Sequence, residues 1–83
     1  MARNVRLGRD EVDLVARHGS RTVAVEVKTR VGAEPVDAFT SDQAARLRRA
    51  AAALGAAVRC DLVTVRLEED GAVVRWIRDV GGA

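Results

Sequence analysis

With 83 residues, 48% of them apolar, and 14 Lys+Arg against 12 Asp+Glu for a formal charge of +2, the chain reads as one small folded domain rather than a disordered segment. So balanced a charge excludes a uniformly basic coat, and any nucleic-acid contact must be local. The lone Cys60 excludes an internal disulfide and a thiolate metal cluster, which suits a reducing cytoplasm, and no apolar run approaches the ~18 residues of a membrane span or forms a signal-peptide core.

From Met1 to Arg9, Val5 and Leu7 alternate with arginines, predicting a short first strand that leads through Gly8 into a second. Glu11 to Arg17 and Arg21 to Arg30 both alternate apolar and polar residues with period two, predicting a hairpin around His18-Gly19-Ser20. A type II′ loop at Gly19-Ser20 pairs His18 with Arg21, Asp13 with Glu26 and Glu11 with Lys28. A loop at His18-Gly19 instead sets Glu11 opposite Glu26 and Asp13 opposite Ala24. In either register the acids converge on one face. Val31 to Phe39, with Gly32 and Pro35, reads as a loop beside that face, a position from which loops often touch substrate.

Thr40 or Ser41 caps a helix from about Ser41 to Leu54, with Asp42 favourable in its first turn and Gly55 as the stop. Its apolar stripe, Ala44, Leu47, Ala51 and Leu54, should pack on a sheet. Val58 to Glu68 is a strand whose near-continuous apolar centre, Leu62, Val63 and Val65, predicts cover on both faces. Asp70-Gly71 predicts a type I′ turn. The last strand, Ala72 to Arg78, then places Val74 and Trp76 beside Val65 and Leu67, and Gly81-Gly82-Ala83 should fray. The sum is an α/β domain with a mixed sheet, order βββαββ and one main helix, the third and fourth strands parallel through that helix.

Two carboxylates side by side on a sheet repel, so a divalent cation is the natural complement. Asp13, Glu26, the carbonyl of Val27 and waters suit Mg²⁺ or Mn²⁺. Lys28, two residues beyond Glu26 and the sole lysine of the chain, is placed to orient or deprotonate a water. The competing reading is a solvated face on which Glu11 and Lys28 make a cross-strand ion pair worth ~0–1 kcal/mol. Arg30 adjoins the acids and could contact a phosphate or pair with Glu34. Arg46, Arg48 and Arg49 are either a solvated helix surface or a DNA-contact patch. His18 reads as a turn residue, Cys60 as a buried thiol, Trp76 as packing and Asp61 as structural.

Asp13, twelve intervening residues, then Glu26-Val27-Lys28 have the form of the PD-(D/E)xK motif of restriction-endonuclease-like nucleases. With Glu11-Val12-Asp13-Leu14-Val15-Ala16-Arg17, Val25 to Arg30, Pro35 to Thr40, Arg46 to Ala51, Arg59 to Val65 and Trp76 to Asp79, nearly the whole chain resembles the YraN family of that fold. The resemblance implies a single nuclease-like domain over residues 1–83 and metal-dependent hydrolysis of DNA phosphodiesters. Asp13 and Glu26 would bind the ion and Lys28 serve the attacking water, with Glu11 at a matching position. Arg30, Arg46, Arg49 and Gln43 would lie toward phosphates, Gln43 standing where the family commonly has Lys. By analogy with archaeal Holliday-junction resolvases, the substrate would be branched or damaged DNA. In the family an N-terminal helix precedes the segment matching Ala2-Arg3-Asn4, so the resemblance leaves three readings: a truncated or misassigned start, a degenerate member, or a chain whose open sheet face is covered by a homodimer or a partner chain. A noncatalytic nucleic-acid-binding module and a structural subunit are the alternatives.

Overall fold

Two glycines turn the first three strands into an antiparallel meander. In the computed structural model, which describes residues 1–80, β1 (Ala2–Leu7), β2 (Asp10–His18) and β3 (Arg21–Val31) are joined by the two-residue loops Gly8-Arg9 and Gly19-Ser20. Each glycine leads its loop with a positive φ, 66° and 65°, a conformation that L side chains resist. His18 pairs with Arg21, so the first of the two registers is the one adopted. A 3-10 turn at Pro35–Ala38 precedes α1 (Ser41–Leu54), and β4 (Arg59–Glu68) and β5 (Gly71–Ile77) follow. The sheet order is β1-β2-β3-β4-β5, with β3 and β4 parallel across the helical crossover and all other pairs antiparallel.

Thr40 begins α1 with a capping box. Its hydroxyl accepts the Gln43 N–H at 3.2 Å and the Gln43 side chain accepts the Thr40 N–H at 3.1 Å. Gly55 ends the helix, donating its N–H to the Ala51 carbonyl. The buried stripe is Leu47, Ala50 and Ala51, flanked by half-buried Leu54, and it packs on Val12, Ala24 and Cys60 of the sheet. Cys60 is the buried thiol expected of it, and burial pushes its pKa up.

Two expectations are corrected. Glu68 pairs with Gly71, so the last hairpin turns on Glu69-Asp70, neither of which has a positive φ, and no type I′ turn forms. Gly71 uses its freedom to enter the strand, at φ 152°. β4 is also covered on one face only. Cys60, packed against α1, shares a buried face with Leu62 and Thr64, while Val63 and Val65 face the other way beside Leu67, Val74 and Trp76, which are 40%, 62% and 47% exposed. The continuous apolar run thus reflects one helix-covered face and one face without a helix among the described residues. The expected fraying of Gly81-Gly82-Ala83 lies outside the described residues.

A polar node closes one end of that second face. The fully buried Asp61 carboxylate accepts two hydrogen bonds from the Arg59 guanidinium at 2.8 Å, one from the Trp76 indole at 2.7 Å and one from the Asp79 N–H at 3.0 Å. His18 joins it, edge-on to Trp76 with ring centroids 4.9 Å apart and with Nδ1 3.0 Å from Arg59. It therefore packs as well as flanking its turn. No helix among the described residues is long and apolar enough to cross a membrane.

Candidate active site

The site begins with a fault in the strand pattern. Val12 and Val15 both pack into the core beneath α1, although an unbroken strand would send residues three apart to opposite faces. The phase slips at Asp13. The β1–β2 ladder pairs Arg3 with Leu14 and Val5 with Val12 but skips Asn4 and Asp13, and Asn4 has a φ of +53°. The β2–β3 ladder likewise stops at Leu14 and Val25. Beyond it the Asp13 side chain takes over: its Oδ2 accepts the Val27 N–H at 2.9 Å. The fault thereby anchors a carboxylate beside β3.

Glu26 is its neighbour. It is half-buried on the helix side, level with Leu62 of β4. Burial and the adjacent negative charge of Asp13 raise the Glu26 carboxyl above its ordinary value, against the pull of Lys28, whose Nζ lies 3.7 Å from Oε1.

The pair opens on a cavity of about 290 Å³. Arg9 of the first turn and Asp10 and Glu11 of β2 form one wall, and Gln43, Arg46 and Leu47 of α1 form the opposite one. The structure thus brings Asp13, Glu26, Glu11, Gln43 and Arg46 together. Lys28 meets them through Glu26. Glu11 pairs with Arg6 at 3.9 Å rather than with Lys28, because the strands have parted before that register is reached. Arg49 is engaged by Asp10 in a two-pronged ion pair, at 2.7 and 2.8 Å, and lines an adjoining open groove.

Arg30 is not brought in. It lies four residues beyond Glu26, about 13 Å along the strand, and Glu34 pairs with Arg75 at 3.6 Å, not with Arg30. Nor does any described side chain from the segment after β3 line the cavity, and Gly32 is tied to Leu67 at the far end of β4. Val27 enters through its N–H. Arg9 and Asp10 carry no local signal of the site, since nothing at the start of a strand announces a partner such as Arg49, 39 positions from Asp10. Thr64, level with Lys28, was missed too, and its buried hydroxyl has no hydrogen-bond partner among the described residues.

Among the described residues no three His, Cys, Asp or Glu side chains are gathered to hold a metal. The Asp13–Glu26 pair nevertheless fits Mg²⁺ or Mn²⁺, which are commonly held by one or two carboxylates with waters and substrate phosphate completing the shell.

A family model described as uncharacterised protein family UPF0102 matches residues 1–65. Among curated relatives, a UPF0102 protein of Streptomyces coelicolor is 45% identical over 86 residues, covering 89% of this chain and 66% of its own. One from a Parafrankia species is 41% identical, covering 88% and 70%, and one from Shewanella amazonensis is 39% identical, covering 94% and 77%. The chain spans about two thirds of the length of the first two. No solved structure matches it.

Proposed function

The chain belongs to the UPF0102 family, given above as YraN, and from that premise we propose that it is a cytoplasmic, Mg²⁺- or Mn²⁺-dependent endonuclease that hydrolyses DNA phosphodiester bonds, branched or damaged DNA being the substrate suggested by analogy. The observation that supports this reading is the Asp13–Glu26 pair, held side by side at a cavity mouth with the proton affinity of Glu26 raised. Asp13, its Oδ2 fixed by the Val27 N–H, and Glu26 would hold the ion. An ion so held would lower the pKa of water and offset charge developing on the phosphate. The Lys28 ammonium favours the ionised form of Glu26 and would orient the attacking water. Glu11, on the same wall, would receive a hydrogen bond from that water.

The test is cleavage of linear, nicked and branched DNA in Mg²⁺, Mn²⁺ or EDTA. Asp13→Ala and Glu26→Ala are each expected to lose at least about a hundredfold in rate, the scale of the several kcal/mol that a metal supplies. Undiminished cleavage by Glu26→Ala would remove the site. A noncatalytic binding module would instead show salt-sensitive affinity indifferent to both acids.

A second reading has its own observation, the apolar face that α1 leaves uncovered. As a structural subunit completed by a second copy through that face, the chain would self-associate, and Val74→Asp, at a position 62% exposed, would convert it to a monomer. Sedimentation equilibrium at micromolar concentration decides this, since a wild type already monomeric there leaves no place for the second reading.

A further inference from the structure

Arg9 and Arg46 stand on a ridge between two openings. Both line the cavity that holds Asp13 and Glu26, and both line the adjoining groove of about 630 Å³ that runs past Asp42, Ala45 and Arg49 along α1. Neither is in an ion pair among the described side chains. Asp10, next to Arg9 in the chain, is already engaged by both prongs of Arg49, and that pair ties the start of β2 to the helix. Asp10 and Arg49 cancel, and two guanidiniums with no ion pair among the described side chains remain where the acid-lined cavity meets the groove.

We propose that Arg9 and Arg46 form a phosphate clamp that takes the phosphodiester next to the scissile one, so that the polynucleotide strand leaves the carboxylates along the groove on α1. For its ligand class the clamp rests on the reading of Asp13 and Glu26 as a phosphodiesterase site. A phosphate seated there meets two guanidiniums, each able to present paired N–H donors to its oxygens. The clamp selects for a chain with a phosphate beyond the reacting one, and hence for a polynucleotide over a phosphomonoester or a mononucleotide. The Asp10–Arg49 pair is a positioning device that touches no phosphate.

The experiment measures binding of a fluorescein-labelled DNA duplex in EDTA, where no cleavage occurs, across a salt series. Arg9→Ala and Arg46→Ala should each reduce the slope of log K against log[salt] by about 0.9, the increment of one phosphate contact, and weaken binding several-fold at about 0.1 M salt. Arg46→Lys should restore most of the slope. Arg48→Ala removes the same charge from the other flank of α1, beside Cys60 and Asp79, and should leave the slope unchanged. Wild-type slopes in both Arg9→Ala and Arg46→Ala, an equal fall in Arg48→Ala, or no binding by the wild type would each overturn the clamp. Cleavage that depends on Glu26 beside an indifferent slope removes the clamp alone. An arginine-dependent slope without metal-dependent cleavage removes the nuclease reading and leaves a polynucleotide-binding groove.

Discussion

Asp61→Ala is expected to lower the stability of the domain by about 3–5 kcal/mol, the range for breaking a buried ion pair from one side and a large share of what holds a small domain together. Asp61 is fully buried, and the Arg59 side chain that grips it is only 11% exposed. Removing the carboxylate takes the acceptor from that guanidinium, the Trp76 indole and the Asp79 N–H at once, and the guanidinium is the one left largely shielded from water. Since about 1 kcal/mol moves the midpoint of a domain this size by about 4–8 °C, thermal unfolding should show a fall of well over about 10 °C. Arg66→Ala provides the contrast. Its bond to Glu68 is of similar length, 2.9 Å, but both side chains meet solvent, and its loss should shift stability by no more than about 1 kcal/mol. Equal shifts in the two variants would mean that the node is not the fastening the geometry describes.

The same node predicts an acid limit. Burial pushes the Asp61 carboxyl up, but the Arg59 hydrogen bonds, the Asp79 N–H and the Trp76 indole together pull it further down, to below the ordinary value of 3.8. The unfolded chain then holds this proton more tightly than the folded one. The contribution of Asp61 is complete above the ordinary value and disappears as pH falls beneath it toward the lower folded value. Denaturant titrations should accordingly show stability falling below about pH 4, more steeply in the wild type than in Asp61→Asn.

Local signals carried most of the fold. Gly8 and Gly19 marked the first two turns, and Thr40 and Gly55 bounded the helix at the residues observed, because caps and turns act within four or five positions. Asp13 and Glu26 were legible as a pair for a similar reason, since a two-residue loop fixes which strand positions approach one another. The fault at Asp13 was not legible. Glu11-Val12-Asp13-Leu14-Val15 satisfies a regular alternation as well as a broken one, and only packing against Leu47 decides that Val12 and Val15 share a face. Asp10 with Arg49 and Asp61 with Trp76 were hidden because each partner alone is an ordinary charged or aromatic residue. The apolar run of β4 suggested two covering layers because side-chain hydrophobicity records a tendency to be covered, not what covers it.

Glu26→Gln should separate the two demands on the site by losing function while gaining stability in the absence of metal. Burial first, and the charge of Asp13 second, raise the Glu26 carboxyl, so the folded chain binds its proton more tightly than the unfolded chain does. In its ionised form Glu26 therefore opposes folding, and stability rises as pH falls through the raised value. Glutamine is a neutral isostere of the protonated acid at every pH and keeps an oxygen for the Lys28 ammonium. In EDTA the variant should melt a few degrees above the wild type, since relief of even about 0.5 kcal/mol is worth about 2–4 °C here. With Mn²⁺ the order should reverse. An ion at a hundred times its Kd stabilises the wild type by about 2.7 kcal/mol, or about 10–20 °C, while a site with one carboxylate removed gains little. Crossing melting curves, with cleavage lost by at least about a hundredfold, would identify Glu26 as an ion-binding group held in place against the preference of the fold. A variant that keeps the full Mn²⁺ shift would place the ion elsewhere. One that melts below the wild type in EDTA would mean that Lys28 stabilises the ionised Glu26 more than Asp13 and burial disfavour it, leaving a surface ion pair where the proposed site requires an ionised Glu26 held at a cost to folding.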